Sequence, residues 1–197
     1  MKSGKAPGRD SITTELLTVD KDLTAEQMEK LFKVIWEEEV VPDDWKQGII
    51  VKIPKKGDLT VCNNYRGITL LSVPSKVFTR TIINRLYDEV NKQLRQEQAG
   101  FRRERGTTEQ IFILRNIIEQ SIEWQSSLYV NFVDFEKAFD SVHQDSLWKI
   151  MKTYGIPQKF IRIIRLLYKD TLCTVIDGSR ESAWFKVISG VKQGCVM

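Results

Sequence analysis

Apolar residues recur every three or four positions in four separate segments, and this spacing predicts four amphipathic helices. The first begins near Thr24, where the spacing is that of a capping box, and ends at Pro42. The others follow Pro74, Thr107 and Pro157. Because each helix has one apolar face, each must pack against another element of structure.

Further segments are rich in β-branched and aromatic residues, which predicts strands. They are 49–53, Leu128–Phe135, and a hairpin of 172–176 with 183–188 around Asp177 and Gly178. Asp145 predicts the start of a short helix that ends before Gly155. The sequence therefore predicts a mixed α/β (α+β) fold whose N-terminal part is rich in helices.

The composition of the 197-residue chain excludes several classes of protein. Hydrophobic residues make up 42%, and 30 basic residues nearly balance 26 acidic ones, which excludes disorder as the dominant state. No apolar run approaches the ~20 residues that a membrane-spanning helix needs. Cys62, Cys173 and Cys195 are scattered, which suggests reduced thiols in an intracellular protein of the cytoplasm or nucleus. The net charge of +4 permits a polyanionic partner.

Asp134 is the strongest candidate for chemistry because it lies at the end of the predicted strand Leu128–Phe135. A carboxylate in that position suits Mg²⁺, which prefers one or two carboxylates together with phosphate oxygens and water. The same residue equally suits a turn or a helix cap, and this alternative stays open. Phe139 is either a wall of a substrate pocket or an aromatic side chain of the core.

Two basic turns and one basic loop are candidates for binding phosphates. Lys55 and Arg66 lie on turns that oppose each other across a hairpin-like bend, so the two cations suit a triphosphate. Arg102, Arg103 and Arg105 lie between two glycines and suit a nucleic-acid backbone. For both groups the alternative is a solvated surface.

The segment that contains Gln193 and Gly194 suits contact with a base or a sugar. Glycine admits a close approach of the backbone, and glutamine offers hydrogen bonds. The alternative is a loop without a ligand. His143 is the single histidine, and we expect it at the surface with no catalytic partner.

Six motifs, taken in order, resemble those of the reverse transcriptase domain of non-LTR (LINE-type) retrotransposons. They occupy 5–12, 53–58, 64–70, 98–108, 132–140 and 190–195. Arg9 and Gly67 depart from the residues that are common in the family at those positions. The resemblance implies a right-hand polymerase fold. Residues 1–127 would form an N-terminal extension and a fingers-like region, and 128–197 a partial palm with the first and second palm motifs only.

The resemblance also implies an activity, that of an RNA-directed DNA polymerase. Such a nucleotidyltransferase adds dNTPs to a primer 3′-OH on an RNA template by two-metal phosphoryl transfer. Asp134 and the backbone carbonyl of Phe135 would bind Mg²⁺, with two ions in the complete enzyme and Mn²⁺ as an alternative. The implied partners are an RNA template, a DNA primer and dNTPs, without a membrane. The resemblance leaves the oligomeric state open.

Further roles follow from the same resemblance. Lys55 and Arg66 would bind the triphosphate, and the ring of Phe139 would exclude a ribose 2′-OH. Gln193 and Gly194 would line the nascent base pair and the template. The nucleic-acid contacts would come from the basic loop, that is from Arg102, Arg103 and Arg105.

One departure from the family concerns its later catalytic motif, an aromatic-x-Asp-Asp hairpin, which the sequence does not contain after the first palm motif. With Asp134 alone we expect an inactive or nearly inactive fragment of such a polymerase. The main alternative is a non-catalytic nucleic-acid-binding remnant of a retroelement. A phosphotransferase with Asp134 as nucleophile is disfavoured because Glu136 lies where a second aspartate is expected. A structural protein without a ligand would leave the ordered motifs unexplained.

Overall fold

The computed structural model describes residues 3–192. The helices are α1 (Thr14–Val19), α2 (Lys21–Glu38), α3 (Val73–Gln93), α4 (Thr107–Glu123), α5 (Gln144–Thr153) and α6 (Gln158–Tyr168). The strands are β1 (Gln47–Pro54), β2 (Tyr65–Leu70), β3 (Leu172–Asp177), β4 (Arg180–Glu181) and β5 (Phe185–Lys186). The predicted mixture of helices with a sheet is confirmed.

The chain divides into two compact units. The larger unit combines Met1–Leu86 with Lys137–Met197, and the smaller unit is Tyr87–Glu136. The predicted division into a fingers-like region over 1–127 and a partial palm over 128–197 stays a prediction. No helix within residues 3–192 has both the length and the apolar composition that crossing a bilayer requires.

The sheet belongs to the larger unit and has the strand order β2-β1-β3-β4, with β5 paired to the start of β3. Strand β1 is antiparallel to β2 and parallel to β3, so that Ile50 lies opposite both Thr69 and Val175. The predicted turn at Gly178 is confirmed, since Asp177 pairs with Arg180 across a two-residue turn. The returning strand differs from the predicted 183–188, because it begins at Arg180 as β4 and resumes only as β5. Gly178 supplies the positive φ of +60° that this turn needs.

Polar side chains fix the starts of three helices, and two of these caps differ from the prediction. The carboxylate of Asp20 accepts the amide of Leu23 at 2.9 Å, so α2 begins before Thr24. Nδ1 of His143 accepts the amide of Ser146 at 3.3 Å, so His143, rather than Asp145, caps α5. Histidine can act as a cap because a neutral imidazole has one acceptor nitrogen. Thr13 caps α1 in the same way.

The core of the larger unit lies where α2, α3, α5 and α6 meet. Ile163 is fully buried, and Ile35 is 1% exposed. Aromatic rings pack against each other in the same core, with centroid distances of 5.6 Å for Trp45–Phe78 and 5.7 Å for Trp148–Tyr168. The apolar faces predicted from helical spacing for α2, α3 and α6 therefore do form the core of this unit. The same prediction is wrong for α4, which has no buried residue, and Ile111 and Ile122 on it are exposed.

The predicted strand Leu128–Phe135 is wrong. The structure gives this segment no regular secondary structure, and its side chains are exposed. An extended segment becomes a strand only when its backbone groups pair with a neighbour. Among the described strands, none pairs with this segment. A high β-propensity alone therefore did not produce a strand here.

Candidate nucleotide and nucleic-acid site

The hairpin of β1 and β2 brings Lys55 and Arg66 to the same end of the sheet. Ile53 lies opposite Arg66, and the amide of Lys55 extends the ladder by donating to the carbonyl of Asn64 at 2.7 Å. Because side chains alternate along a strand, Lys55 lies on the same face as Ile53 and therefore as Arg66. Both cationic side chains are exposed.

The turn that joins the two strands is held by its own hydrogen bonds. The side-chain amide of Asn64 donates to the carbonyl of Asp58 at 2.7 Å, and the hydroxyl of Tyr65 donates to the carbonyl of Leu59 at 3.0 Å. The carboxylate of Asp58 accepts the amide of Thr60, which lowers the pKa of Asp58. The ammonium of Lys55 donates to the carbonyl of Asn63 at 3.3 Å. This hydrogen bond holds the Lys55 side chain beside the turn.

The other face of the hairpin carries Lys52, which sequence analysis missed. Its ammonium lies 2.7 Å from the carboxylate of Asp177 on β3 and 4.7 Å from the centre of the Tyr65 ring. The hydrogen bond to Asp177 raises the pKa of Lys52. This pairing links β1 to β3, whereas Lys55 and Arg66 point to the opposite face.

The turn that contains Phe139 is joined to the segment before Gln193. The amide of Val191 donates to the carbonyl of Phe139 at 2.7 Å, and the amide of Gly190 donates to that of Val142 at 2.8 Å. The side-chain amide of Gln144 donates to the carbonyl of Gly190 at 3.0 Å. Two segments that the sequence assigned to separate motifs therefore lie side by side in the larger unit.

Lys192 anchors this same segment to the core of the larger unit. Its ammonium donates to the carbonyl of Leu167 at 2.8 Å and to that of Trp45 at 3.4 Å. It also lies 5.5 Å from the centre of the Tyr168 ring. Gln193 and Gly194, for which we predicted contact with the nascent base pair, lie outside the described residues.

A cleft of about 230 Å³ adjoins these segments. It is lined from the sheet by Gly67, Thr69 and Cys173, and from the two joined segments by Asp140 and Gly190. Burial raises the pKa of the Cys173 thiol. A thiol with a raised pKa is a poor nucleophile at neutral pH, so we assign no chemistry to Cys173.

Asp134 and Phe135 lie in the exposed segment of the smaller unit. The Asp134 carboxylate is accessible to a ligand, but within residues 3–192 no group of three or more acidic, histidine or cysteine side chains could hold a metal ion. Asp134 can supply one carboxylate, and Mg²⁺ commonly takes its other ligands from phosphate and water. Within residues 3–192, protein side chains alone therefore do not complete the ligand set of a metal ion.

The arginines of the basic loop have different environments within the smaller unit. The guanidinium of Arg102 donates to Oδ1 of Asn91 at 2.9 Å and to the carbonyl of Arg95 at 2.8 Å. The guanidinium of Arg103 lies 4.2 Å from the centre of the Tyr87 ring. The side chain of Arg105 is exposed. Arg102 therefore orders the loop, while Arg103 and Arg105 present positive charge at its surface.

Comparisons with known proteins identify a family and several relatives of this chain. The family described as "Reverse transcriptase (RNA-dependent DNA polymerase)" matches residues 53–197. The chain is 29% identical, over 98% of its length, to the RNA-directed DNA polymerase from mobile element jockey of Drosophila melanogaster. It is 32% identical, over 99% of its length, to the probable RNA-directed DNA polymerase from transposon X-element of the same species. It is also 25% identical to the transposon TX1 uncharacterized 149 kDa protein of Xenopus laevis, over 99% of its length.

The chain spans only part of these relatives, namely 21% of the jockey protein, 22% of the X-element protein and 15% of the TX1 protein. The predicted resemblance to the reverse transcriptase domain of non-LTR retrotransposons is nevertheless confirmed, because the family match covers most of the chain and the relatives are proteins of such elements. The chain belongs to the reverse transcriptase (RNA-dependent DNA polymerase) family.

Proposed function

We propose that this chain is the part of an RNA-directed DNA polymerase that binds the incoming dNTP and the RNA template. The observation that carries this proposal is the hairpin of β1 and β2, which brings Lys55 and Arg66 together on one exposed face. A triphosphate needs concentrated positive charge with directed donors, and an ammonium beside a guanidinium supplies both.

In the proposed reaction the primer 3′-oxygen forms a bond to the α-phosphorus of the dNTP. The bond from that phosphorus to the oxygen bridging to the β-phosphate breaks, pyrophosphate leaves with the electron pair, and the proton of the 3′-OH passes to solvent. Lys55 and Arg66 would offset the charge that develops on the leaving phosphates. A divalent metal, Mg²⁺ in this proposal, would supply Lewis-acid chemistry when bound, with Asp134 and the carbonyl of Phe135 among its ligands.

Phe139 has the proposed role of selecting the sugar. Its backbone carbonyl is held by the amide of Val191, and its side chain is 36% exposed, so part of the ring is accessible to a ligand. A bulky ring beside a nucleotide sugar would clash with a 2′-OH and favour dNTPs. Gln193 and Gly194, which continue from Val191 and Lys192, would line the base pair, and the fingers and palm would correspond to 1–127 and 128–197.

The proposal is tested by nucleotide binding to the 197-residue chain. We expect dTTP to bind more tightly than dTMP, because the additional phosphates meet Lys55 and Arg66. Lys55→Ala and Arg66→Ala should each weaken dTTP binding by about 10- to 100-fold, the value of a hydrogen bond to a charged group. Lys56→Ala is the matched control, since Lys56 is the next residue of the same exposed turn.

If Lys56→Ala weakened dTTP binding as much as Lys55→Ala, the proposal would be contradicted. The net positive charge of the turn, rather than the position of Lys55 on the hairpin face, would then explain binding. RNA binding without any dTTP binding would favour the alternative of a non-catalytic nucleic-acid-binding remnant.

A further inference from the structure

The side chain of Phe101 is displayed on the surface of the smaller unit. It is 96% exposed, and its backbone has a φ of +61°. A bulky residue in the left-handed region is a genuine outlier, and such outliers concentrate at ligand-binding sites. Burial in the core therefore does not explain a phenylalanine at this position.

Hydrogen bonds of Arg102, the next residue, hold the loop around Phe101. The guanidinium of Arg102 donates to Asn91, to the carbonyl of Arg95, and to the carbonyl of Gln98 at 3.2 Å. The amide of Arg103 donates to the hydroxyl of Tyr87 at 3.0 Å. The bonds to Asn91 and Tyr87 tie the loop to the C-terminal end of α3 and hold the backbone next to Phe101 in place.

The charge around Phe101 favours an anionic ligand. Between Arg95 and Arg105 the chain has four arginines and two glutamates, Glu97 and Glu104. Arg103 and Arg105 follow the ring within four residues, and other residues of the loop are glycine, alanine and glutamine. Sites that bind single-stranded nucleic acid typically combine an exposed aromatic ring with arginines and polar residues.

We propose that Phe101 is a stacking platform for an unpaired base of single-stranded RNA, with Arg103 and Arg105 at the adjacent phosphates. The inference rests on the proposed function, in which the chain binds an RNA template. The ring of Phe101 offers a flat apolar face, and every base offers a matching face, so the contact tolerates any sequence. Bases in a duplex already stack on each other and are not available to the ring.

The test measures binding of the 197-residue chain to a fluorescently labelled 12-nucleotide RNA without secondary structure, and to a blunt RNA duplex of the same length. Phe101→Ala should weaken binding of the single strand by about 5- to 150-fold and leave duplex binding unchanged. Phe101→Tyr should bind like the wild type because its ring stacks equally well. Phe112→Ala is the matched control, since Phe112 is a second exposed phenylalanine of the smaller unit, on α4.

The salt dependence separates stacking from charge. Phe101→Ala should lower affinity equally at all salt concentrations, whereas Arg105→Gln should reduce the slope of log K against log salt by about 0.7. Phe101→Gly should lose RNA binding as Phe101→Ala does while improving the thermal stability of the chain, because glycine relieves the positive φ. That pair of effects distinguishes a ligand-binding ring from a ring that stabilises the fold.

Single-strand binding by Phe101→Ala that equals the wild type would overturn the inference, as would equal losses for single strand and duplex. Either result leaves the proposed function standing, because that proposal depends on nucleotide binding at Lys55 and Arg66.

Discussion

The amide of Val191 donates a hydrogen bond to the carbonyl of Phe139 at 2.7 Å. This bond joins the turn that contains Phe139 to the segment before Gln193, although the two partners lie 52 positions apart in the chain. Gly190 makes the approach of the two segments possible. A Cβ at Gly190 would lie 2.8 Å from the Cα and the carbonyl oxygen of Asp140.

We predict that Gly190→Ala separates these two segments and destabilises the larger unit. The residue has a φ of +77°, which costs an L-amino acid about 1–2 kcal/mol, and the backbone overlap adds about 1–3 kcal/mol. Gly155→Ala isolates the first contribution, because Gly155 has a φ of +72° but a Cβ added there would meet no atom within 4 Å. Urea denaturation measures the free energy of unfolding of both variants. An equal decrease in the two variants would contradict the steric argument.

The core prediction concerns Ile163, which is fully buried among the helices of the larger unit. Ile163→Ala should lower the free energy of unfolding by about 2–5 kcal/mol, because it removes buried apolar groups and leaves a cavity. Ile150→Ala is the matched control on α5, since Ile150 is 53% exposed and should change stability by about 0.5 kcal/mol or less. Thermal unfolding followed by circular dichroism compares the stability of the two variants. A similar loss of stability in both would place Ile163 outside the core.

The ion pair between Glu39 and Arg162 predicts a pH dependence. Arg162 donates to both carboxylate oxygens of Glu39, at 2.8 and 2.6 Å, and these hydrogen bonds lower the pKa of Glu39. A lowered pKa in the folded state gives stability that is present above the unfolded pKa of about 4.3 and is lost as the pH falls through the folded pKa. Glu39→Gln should therefore lower the urea midpoint at pH 7, and the difference from the wild type should shrink as the pH falls below the unfolded pKa of about 4.3.

Glu38→Gln is the control for Glu39→Gln, because Glu38 is the neighbouring exposed residue of α2. The midpoint of the Glu38 variant should follow that of the wild type from pH 7 to pH 3. If the difference between Glu39→Gln and the wild type persisted unchanged at pH 3, the ion pair would not be its source.

The two described cysteines should react at very different rates with a maleimide. Cys62 is exposed, whereas Cys173 is 3% exposed and burial raises the pKa of its thiol. Only the thiolate reacts, so both exclusion of the reagent and a smaller thiolate fraction protect Cys173. Peptide mass spectrometry should find Cys62 labelled in the folded chain and Cys173 labelled only after addition of denaturant. Equal labelling without denaturant would show that β3 is accessible.

Local patterns predicted much of the larger unit. Helical spacing identified the faces of α2, α3 and α6 that form the core, and the turn at Gly178 identified a hairpin. Local sequence predicted that Lys55 and Arg66 lie on opposing turns across a hairpin-like bend. The register of β1 and β2 agrees with the bend, but Arg66 lies within β2 rather than on a turn. These features depend on residues that are near each other in the chain, where propensity and spacing decide the outcome.

Other features depend on residues that are distant in the chain. The parallel pairing of β1 with β3 joins Ile50 to Val175, and no local pattern specifies that partner. Leu128–Phe135 has the composition of a strand but lacks a paired neighbour among the described strands. Arg102 is identical in type to Arg103 and Arg105, yet only contacts with Asn91 and Arg95 show that it orders the loop.

The sequence by itself therefore determined the family, the amphipathic helices and the residues that carry charge or chemistry. These features depend only on the type and spacing of side chains, which do not change on folding. The tertiary structure alone decided which strands pair, which polar groups are used within the fold, and that Phe139 lies beside Val191. Those outcomes depend on hydrogen-bond partners and on space, and both exist only after distant segments have come together.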